Sequence, residues 1–178
     1  PATPVLIDLA YVRACGLSLA AAMKARGGER WRNAIWEMIG AGSRFRLLKY
    51  FSAGMTPDRW FTQVDPAGDA VDRMTRWSDR LMRWSGRLQS IRLPAPEHAP
   101  LRDPSRIVNW IRSVLDDGGV PHMLCYPSAG VRLSEAARLR GISLEGAQLT
   151  TGGEPTTVSR MASIRASGIT VLPRYGSM

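Results

Sequence analysis

The second half of the chain alternates between short apolar runs and segments with helical periodicity. Three apolar runs predict strands at 120–126, 147–150 and 169–172. Three segments with apolar residues at three- and four-residue steps predict helices at 104–117, 130–140 and 157–166. Strands that alternate with helices of this length pair in parallel through crossover connections. The pattern therefore predicts an α/β fold with a doubly wound, mostly parallel sheet and flanking helices.

The first fifty residues show a similar alternation. An apolar run predicts a strand at 3–7, and Asp8 is placed to cap a helix that begins at Leu9 and ends at a pair of glycines. A second strand is expected at 33–39. The glycine-rich segment 40–43 then follows, without the Gly-x-x-x-x-Gly-Lys-Ser spacing of a phosphate loop. We interpret it as a tight turn between a strand and a helix.

Residues 69–93 have the clearest helical pattern in the chain. Large apolar residues recur at alternating steps of three and four, at Met74, Trp77, Leu81, Trp84 and Leu88. Arginines fill the other faces. We expect the tryptophan face to pack on the domain and the arginine face to be solvated. The alternative is an arginine-rich helix that binds RNA or lipid.

Two segments around this helix lack a regular pattern. Residues 52–65 are expected to be irregular. Proline recurs through 94–100, which excludes a regular helix or a central strand and predicts a surface connection. His98 lies in that connection with no nearby catalytic partner in sequence, so we interpret it as a solvated loop histidine.

Composition and charge narrow the functional classes. The net charge of +9 comes mostly from arginine, but acidic residues are interspersed and nucleic acid is not the favoured partner. Cys15 and Cys125 have no paired metal or redox spacing, and Cys125 is expected to be core packing. No apolar run approaches eighteen residues. We therefore expect a cytoplasmic protein without a membrane partner.

The loops after the last three predicted strands carry the candidate chemistry. They are Tyr126-Pro127-Ser128, Gly152-Gly153-Glu154-Pro155 and Tyr175-Gly176-Ser177. The carboxyl ends of parallel strands meet at one edge, where ligands bind in open α/β sheets. A purine needs an aromatic or apolar face and a few backbone hydrogen bonds, which a tyrosine and a glycine pair supply. The sequence thus predicts a shared ligand crevice.

The Gly-Glu-Pro turn followed about twenty residues later by a strand and Tyr-Gly-Ser resembles the adenylate-forming superfamily. That superfamily includes acyl-CoA synthetases, luciferases and peptide-synthetase adenylation domains, and the spacing is most similar to the phenylacetate-CoA ligase branch. Met178 replaces the threonine of the family pattern, and the family glutamate that helps hold Mg²⁺ would follow it. The resemblance covers residues 120–178 and is thin before them.

The resemblance implies a role for each loop. Gly152, Gly153, Glu154 and Pro155 would line one side of the adenine. Tyr175 would stack on the other side, with Gly176 and Ser177 near the ribose and α-phosphate. Tyr126, Pro127 and Ser128 would border the acyl pocket, although a helix N-cap is a sufficient role for Ser128. The cofactors implied are ATP, Mg²⁺ and coenzyme A.

The function expected from the resemblance is that of an ATP-dependent ligase. It activates a carboxylic acid as an acyl-adenylate and transfers the acyl group to coenzyme A or another thiol, such as that of a carrier protein. We expect residues 1–178 to be an incomplete N-terminal domain that is inactive by itself, with no catalytic residue in the segment. The chain is expected to have three parts. Residues 1–50 form a helix-strand part, residues 51–101 form a Trp/Arg-rich helical insertion with a Pro-rich connection, and residues 102–178 form a parallel nucleotide-binding part.

Two other functional classes fit the sequence less well. A nicotinamide-dependent oxidoreductase would need Gly-x-Gly-x-x-Gly after a strand, and no such stretch occurs. A non-enzymatic α/β module could bind nucleic acid or protein through its arginine-rich segment.

Overall fold

The computed structural model describes residues 8–88 and 90–174, and within them it contains six α-helices and six strands. The helices are α1 (Leu9–Lys24), α2 (Ala41–Ser52), α3 (Arg73–Leu88), α4 (Ser105–Asp116), α5 (Pro127–Leu139) and α6 (Val158–Arg165). The strands are β1 (Arg32–Trp36), β2 (Arg59–Thr62), β3 (Pro96–His98), β4 (Pro121–Cys125), β5 (Gln148–Thr151) and β6 (Thr170–Pro173). The strand expected at 3–7 lies outside the described residues.

All six strands form one parallel sheet in the order β3-β2-β1-β4-β5-β6. The chain moves outward from β1 to one edge, returns to β4, and then moves outward to the other edge. The protein is therefore an α/β protein with a doubly wound parallel sheet, which confirms the predicted fold class. The order reverses between β1 and β4, and in open α/β sheets such a reversal leaves a crevice for ligands.

Two apolar clusters cover the two faces of the sheet. The larger cluster packs α4, α5 and α6 on one face, around residues such as Ile107, Leu133 and Ile164. The smaller cluster packs α1 and α2 on the other face, with Leu19 and Leu47 against the strands. Helices on both faces explain why the strands are nearly continuous apolar runs, as in β4, where every residue is buried.

The local signals in the sequence are confirmed at several positions. The Asp8 carboxylate accepts a hydrogen bond from the Tyr11 amide at 2.7 Å and so caps α1. Cys125 is buried, and burial raises the pKa of its thiol to about 12. The thiol therefore stays protonated and serves in packing, as expected.

Residues 51–101 contribute more to the sheet than their sequence indicates. The expectation of irregular structure at 52–65 is wrong, because β2 lies within it and pairs with β1. The proline-rich connection contains β3, a short strand paired with β2 at the edge of the sheet. Proline is tolerated at an edge, where one side of the strand needs no ladder hydrogen bonds. His98 is exposed, as expected.

The prediction that α3 packs its tryptophan face on the domain is wrong. Trp77 is 61% exposed and Trp84 is 58% exposed. The side of α3 that faces the domain carries Asp79 and Gly86, both buried, and Met82, which packs on the smaller cluster. The helix itself is shorter than the predicted 69–93.

A buried polar network lies between the sheet and α1. His122 on β4 is fully buried, and its ring nitrogens lie 2.8 Å from the Asn33 amide oxygen and 2.8 Å from the Thr150 hydroxyl. Arg26 reaches the same threonine at 3.2 Å and the Gln148 amide oxygen at 2.9 Å. Each buried polar group thereby gains a partner, which offsets the free-energy cost of its desolvation.

Burial is the main cause, and the nearby Arg26 charge a second cause, of a lowered His122 pKa of about 3. The imidazole is therefore neutral in the folded state but takes up a proton below pH ~6.5 in the unfolded state. We predict that the free energy of unfolding falls as the pH drops below that value, by up to about 1.4 kcal/mol per pH unit. Urea titrations between pH 7 and 5 measure the slope.

The two histidines of the chain provide a matched comparison. His122→Gln should flatten the slope between pH 7 and 5, whereas His98→Gln should leave it unchanged. An unchanged slope in the His122→Gln variant would contradict the assignment.

Candidate functional site

Four strands end at the same level on the carboxyl edge of the sheet. Trp36 pairs with Cys125, Cys125 with Thr151, and Thr151 with Pro173 in the parallel register. The next residues, Glu37, Tyr126, Gly152 and Arg174, therefore begin their loops side by side. Three of these four loops include residues predicted from the sequence.

The loops after β4 and β5 are joined by Glu154. Its carboxylate accepts hydrogen bonds from the Ser128 hydroxyl at 2.8 Å and from the Ser128 amide at 3.2 Å. Arg160 pairs with the same carboxylate at 3.4 Å. The negative charge lies at the N-terminus of α5, where it also interacts favourably with the helix dipole. Glu154 thus holds two of the predicted loops together.

Helix α5 begins earlier than predicted. Pro127 and Ser128 belong to its first turn, so they are not a turn before the helix. Tyr126 occupies the N-cap position that the sequence assigned to Ser128, and its side chain makes no capping hydrogen bond. Proline fits the first turn because the amide it lacks would have no helical partner there. The Ser128 side chain contributes to the site through Glu154.

The two glycines after β5 allow close backbone contacts. Gly153 has φ +85°, and a Cβ at that position would lie 2.6 Å from the Tyr126 ring. A Cβ at Gly152 would lie 3.1 Å from the Arg174 carbonyl oxygen. Any larger residue at 153 would therefore be strained in its backbone and would displace the tyrosine. The turn and the aromatic ring are positioned against each other.

A buried acid and arginine lie next to Tyr126, and sequence reasoning missed both. Glu37 is 3% exposed, and its carboxylate accepts a hydrogen bond from the Tyr126 hydroxyl at 2.7 Å. The Arg46 Nε lies 2.5 Å from the second carboxylate oxygen, and its guanidinium carbon lies 5.6 Å from the tyrosine ring centroid. A charged residue inside the apolar run predicted as a strand at 33–39 was the available signal for Glu37.

The same contacts change the acidity of the tyrosine. Burial raises the pKa of Tyr126 to about 12, and the hydrogen bond to the Glu37 carboxylate acts in the same direction. The phenol is therefore protonated at neutral pH and donates to Glu37. It therefore does not act as a base.

Positive charge accumulates near this edge. Lys49 on α2 is 8% exposed, and burial lowers the pKa of its amine to about 8. The like charges of Arg174 and Arg46 contribute to this lowering. The Lys49 amine lies 4.8 Å from the Phe45 ring centroid. Such a cluster of cations is suited to an anionic ligand, such as a phosphate or carboxylate.

The turn between β1 and α2 does not form a phosphate cradle. The Gly40 amide donates to the Ser43 hydroxyl at 3.1 Å, so this turn is held from within. A Cβ at Gly42 would lie 3.2 Å from the Glu37 carboxylate. A carboxylate beside the first turn of α2 repels a phosphate. Phe45 also stands where the dinucleotide fingerprint needs its third glycine.

Several expected features fall outside the described residues or find no support within them. Tyr175, Gly176 and Ser177 lie outside the described ranges. Arg174, the last described residue, donates its amide hydrogen to the Thr151 carbonyl oxygen at 2.7 Å and lies at the candidate edge.

Across 8–88 and 90–174, no three acidic, histidine or cysteine side chains are grouped closely enough to hold a metal ion. No helix there has the length and apolar character needed to span a membrane.

In comparisons with known proteins, no protein-family model matches the chain and no curated protein is significantly similar to it.

We predict that Glu154→Ala lowers the free energy of unfolding by about 2 kcal/mol, because the hydrogen bonds from Ser128 lose a charged acceptor. Glu154→Gln should cost less, since its amide oxygen still accepts. Urea denaturation measures both. The control is Glu135→Ala, which removes an exposed ion pair to Arg132 and should cost at most ~1 kcal/mol. Equal losses for the two alanine variants would contradict a joining role for Glu154.

A second stability prediction concerns the buried pair. Glu37→Leu leaves the Arg46 charge without its partner in a mostly buried place, and we expect a loss of about 3–5 kcal/mol. The double variant Glu37→Leu/Arg46→Leu should lose less than the sum of the two single variants. A double-mutant cycle by urea denaturation measures the coupling. Additive losses would show that the two side chains do not stabilise each other.

Proposed function

We propose that this chain is the nucleotide- and acyl-binding part of an ATP-dependent, adenylate-forming ligase similar to phenylacetate-CoA ligases. The reaction is attack of a substrate carboxylate on the α-phosphate of ATP, which gives an acyl-adenylate and pyrophosphate. Transfer of the acyl group to coenzyme A or another thiol follows. The observation that carries the proposal is the meeting of the Gly152–Pro155 turn and the Tyr126 loop at the carboxyl edge of the sheet.

The turn after β5 supports the adenine side of the proposal. Gly152 and Gly153 let this turn lie directly against the Tyr126 ring and the Arg174 backbone, which holds the turn at the carboxyl edge of the sheet, where open α/β sheets bind ligands. The Glu154 carboxylate is not free to bind a ligand, because it already accepts a hydrogen bond from Ser128 and pairs with Arg160. We therefore assign Glu154 a positioning role: it fixes the turn against α5. The backbone of the turn is the part that would contact the base.

The strand-order reversal between β1 and β4 supports the acyl side. Tyr126 and the Glu37–Arg46 pair lie at this reversal, where open α/β sheets bind ligands. Arg46 and Lys49 place positive charge nearby, and that charge attracts the carboxylate of an acid. Positioning and charge neutralisation are the main contributions to such a displacement.

Mg²⁺ would neutralise phosphate charge in this reaction. Among residues 8–88 and 90–174 no cluster of side chains is suited to bind it. The described residues therefore contribute ligand binding and orientation, and no step of the reaction is assigned to a metal bound by them.

The test is nucleotide binding by the chain of residues 1–178, measured by isothermal titration calorimetry with AMP, ATP and GTP. We expect saturable binding of the adenine nucleotides and at least tenfold weaker binding of GTP. Gly153→Ala should weaken AMP binding at least tenfold, because the new Cβ would meet the Tyr126 ring and shift the backbone of the turn that would contact the base. A failure of AMP and ATP to bind would contradict the nucleotide assignment.

Gly141 provides the matched control for this substitution. It also has a positive φ, +64°, but a Cβ there would meet nothing within 4 Å, and it lies at the opposite end of α5. Gly141→Ala should therefore destabilise the fold to a similar extent through its backbone while retaining AMP affinity. If the two variants lose AMP affinity equally, the effect of Gly153→Ala is one of general stability and not of the site.

A further inference from the structure

Helix α3 presents an uncovered apolar seam to solvent. Trp77 and Trp84 are more than half exposed, and the apolar residues between and beside them are exposed as well. The seam consists of Met74, Trp77, Leu81, Trp84 and Leu88. Its steps of three and four residues place these side chains on one stripe, which corresponds to positions a and d of a heptad repeat. Single exposed apolar residues are common on protein surfaces, whereas a contiguous apolar stripe marks an interaction surface.

Arginines flank the seam in a regular way. With Met74 at position a, the three arginines directly beside the seam occupy position g of successive heptads: Arg73, Arg80 and Arg87. All three are exposed. A depression of about 430 Å³ beside the seam is lined by Arg73, Arg76, Trp77 and Arg80. In paired helices the g positions determine which partner is accepted, through charges across the seam.

The two other arginines of α3 serve the domain itself. Arg76 and Arg83 occupy position c and are partly buried. Arg76 donates to the Ala67 carbonyl oxygen at 3.1 Å. Burial raises the pKa of the Asp79 carboxyl. The nearby Arg83 charge acts in the opposite direction and favours the ionised carboxylate. The exposed arginines are thus distinct from those that anchor the helix.

The charges on α3 disfavour a second copy of the chain as the partner. An antiparallel pair of α3 helices would place the g-position arginines of one copy against those of the other. A parallel pair would place them against position e, where Ser78 and Ser85 offer no negative charge. Self-pairing therefore gains apolar contact but no charge complementarity.

We propose that α3 is a docking surface for an acidic amphipathic helix of a partner protein. The partner's apolar a and d residues would cover the seam, and its Glu or Asp residues at the flanking positions would pair with Arg73, Arg80 and Arg87. The continuous apolar ridge favours a helix over single-stranded RNA, because Leu81 between the two tryptophans offers no aromatic face to a base. The surface is independent of the nucleotide site.

The test uses two labelled synthetic peptides of about three heptads, with Leu at a and d and either Glu or Lys at e and g. Fluorescence anisotropy with residues 1–178 measures binding. We expect saturable binding of the Glu peptide and at least tenfold weaker binding of the Lys peptide. Arg80→Glu/Arg87→Glu should reverse this preference, and Trp77→Ala/Trp84→Ala should abolish binding of the Glu peptide.

The matched control is Arg138→Glu/Arg165→Glu, which changes the same charge at exposed positions on α5 and α6 and should leave both affinities unchanged. Circular dichroism confirms that each variant is folded. The proposal is overturned if neither peptide binds, if both bind equally, or if the control pair has the same effect as Arg80→Glu/Arg87→Glu. It is also overturned if sedimentation shows seam-dependent self-association at peptide-binding concentrations. A single-stranded RNA that binds through Trp77 and Trp84, and that the Glu peptide cannot displace, would also overturn the proposal.

Discussion

The in-register parallel pairing of β1, β4, β5 and β6 is the constraint on which the candidate site depends. Parallel strands share their direction, so their carboxyl ends lie at one edge, and the register places Trp36, Cys125, Thr151 and Pro173 at one level. Residues that are far apart in sequence thereby become neighbours. A shift of one residue in any of these pairings would turn the side chains to the other face and separate the loops.

Polar groups at the two ends of the sheet have different roles. Toward the amino end, the His122 ring nitrogens are satisfied by Asn33 and by Thr150 of the neighbouring strand, and the neutral imidazole contributes to packing. At the carboxyl edge, Glu37 and Arg46 form a mostly buried ion pair. A buried pair is weak evidence for stability, because desolvation offsets much of its attraction. It lies at the strand-order reversal, the position at which open α/β sheets in general bind ligands.

Helix α3 shows why apolar periodicity does not fix which face of a helix is buried. The connection from β2 to β3 determines how α3 lies on the domain, and the side it turns inward carries Gly86. A Cβ at that glycine would lie 3.2 Å from the Ile91 carbonyl oxygen, so Gly86 lets the following chain turn back closely against the end of the helix. The larger apolar residues remain outside. Apolar periodicity identifies a face that will be covered, but the covering surface can belong to another molecule.

The sequence by itself determined the α/β class, the strand and helix order of residues 102–174, the Asp8 cap and the loops at the strand ends, because these follow from short-range periodicity and turn chemistry. It did not reveal β2 or β3, whose few residues carry no clear alternation and depend on pairing with a neighbour. Only the tertiary structure brought Glu37 and Arg46 to Tyr126 and left the α3 seam uncovered. Contacts across tens of residues are set by how the layers pack, and that packing is a property of the whole chain.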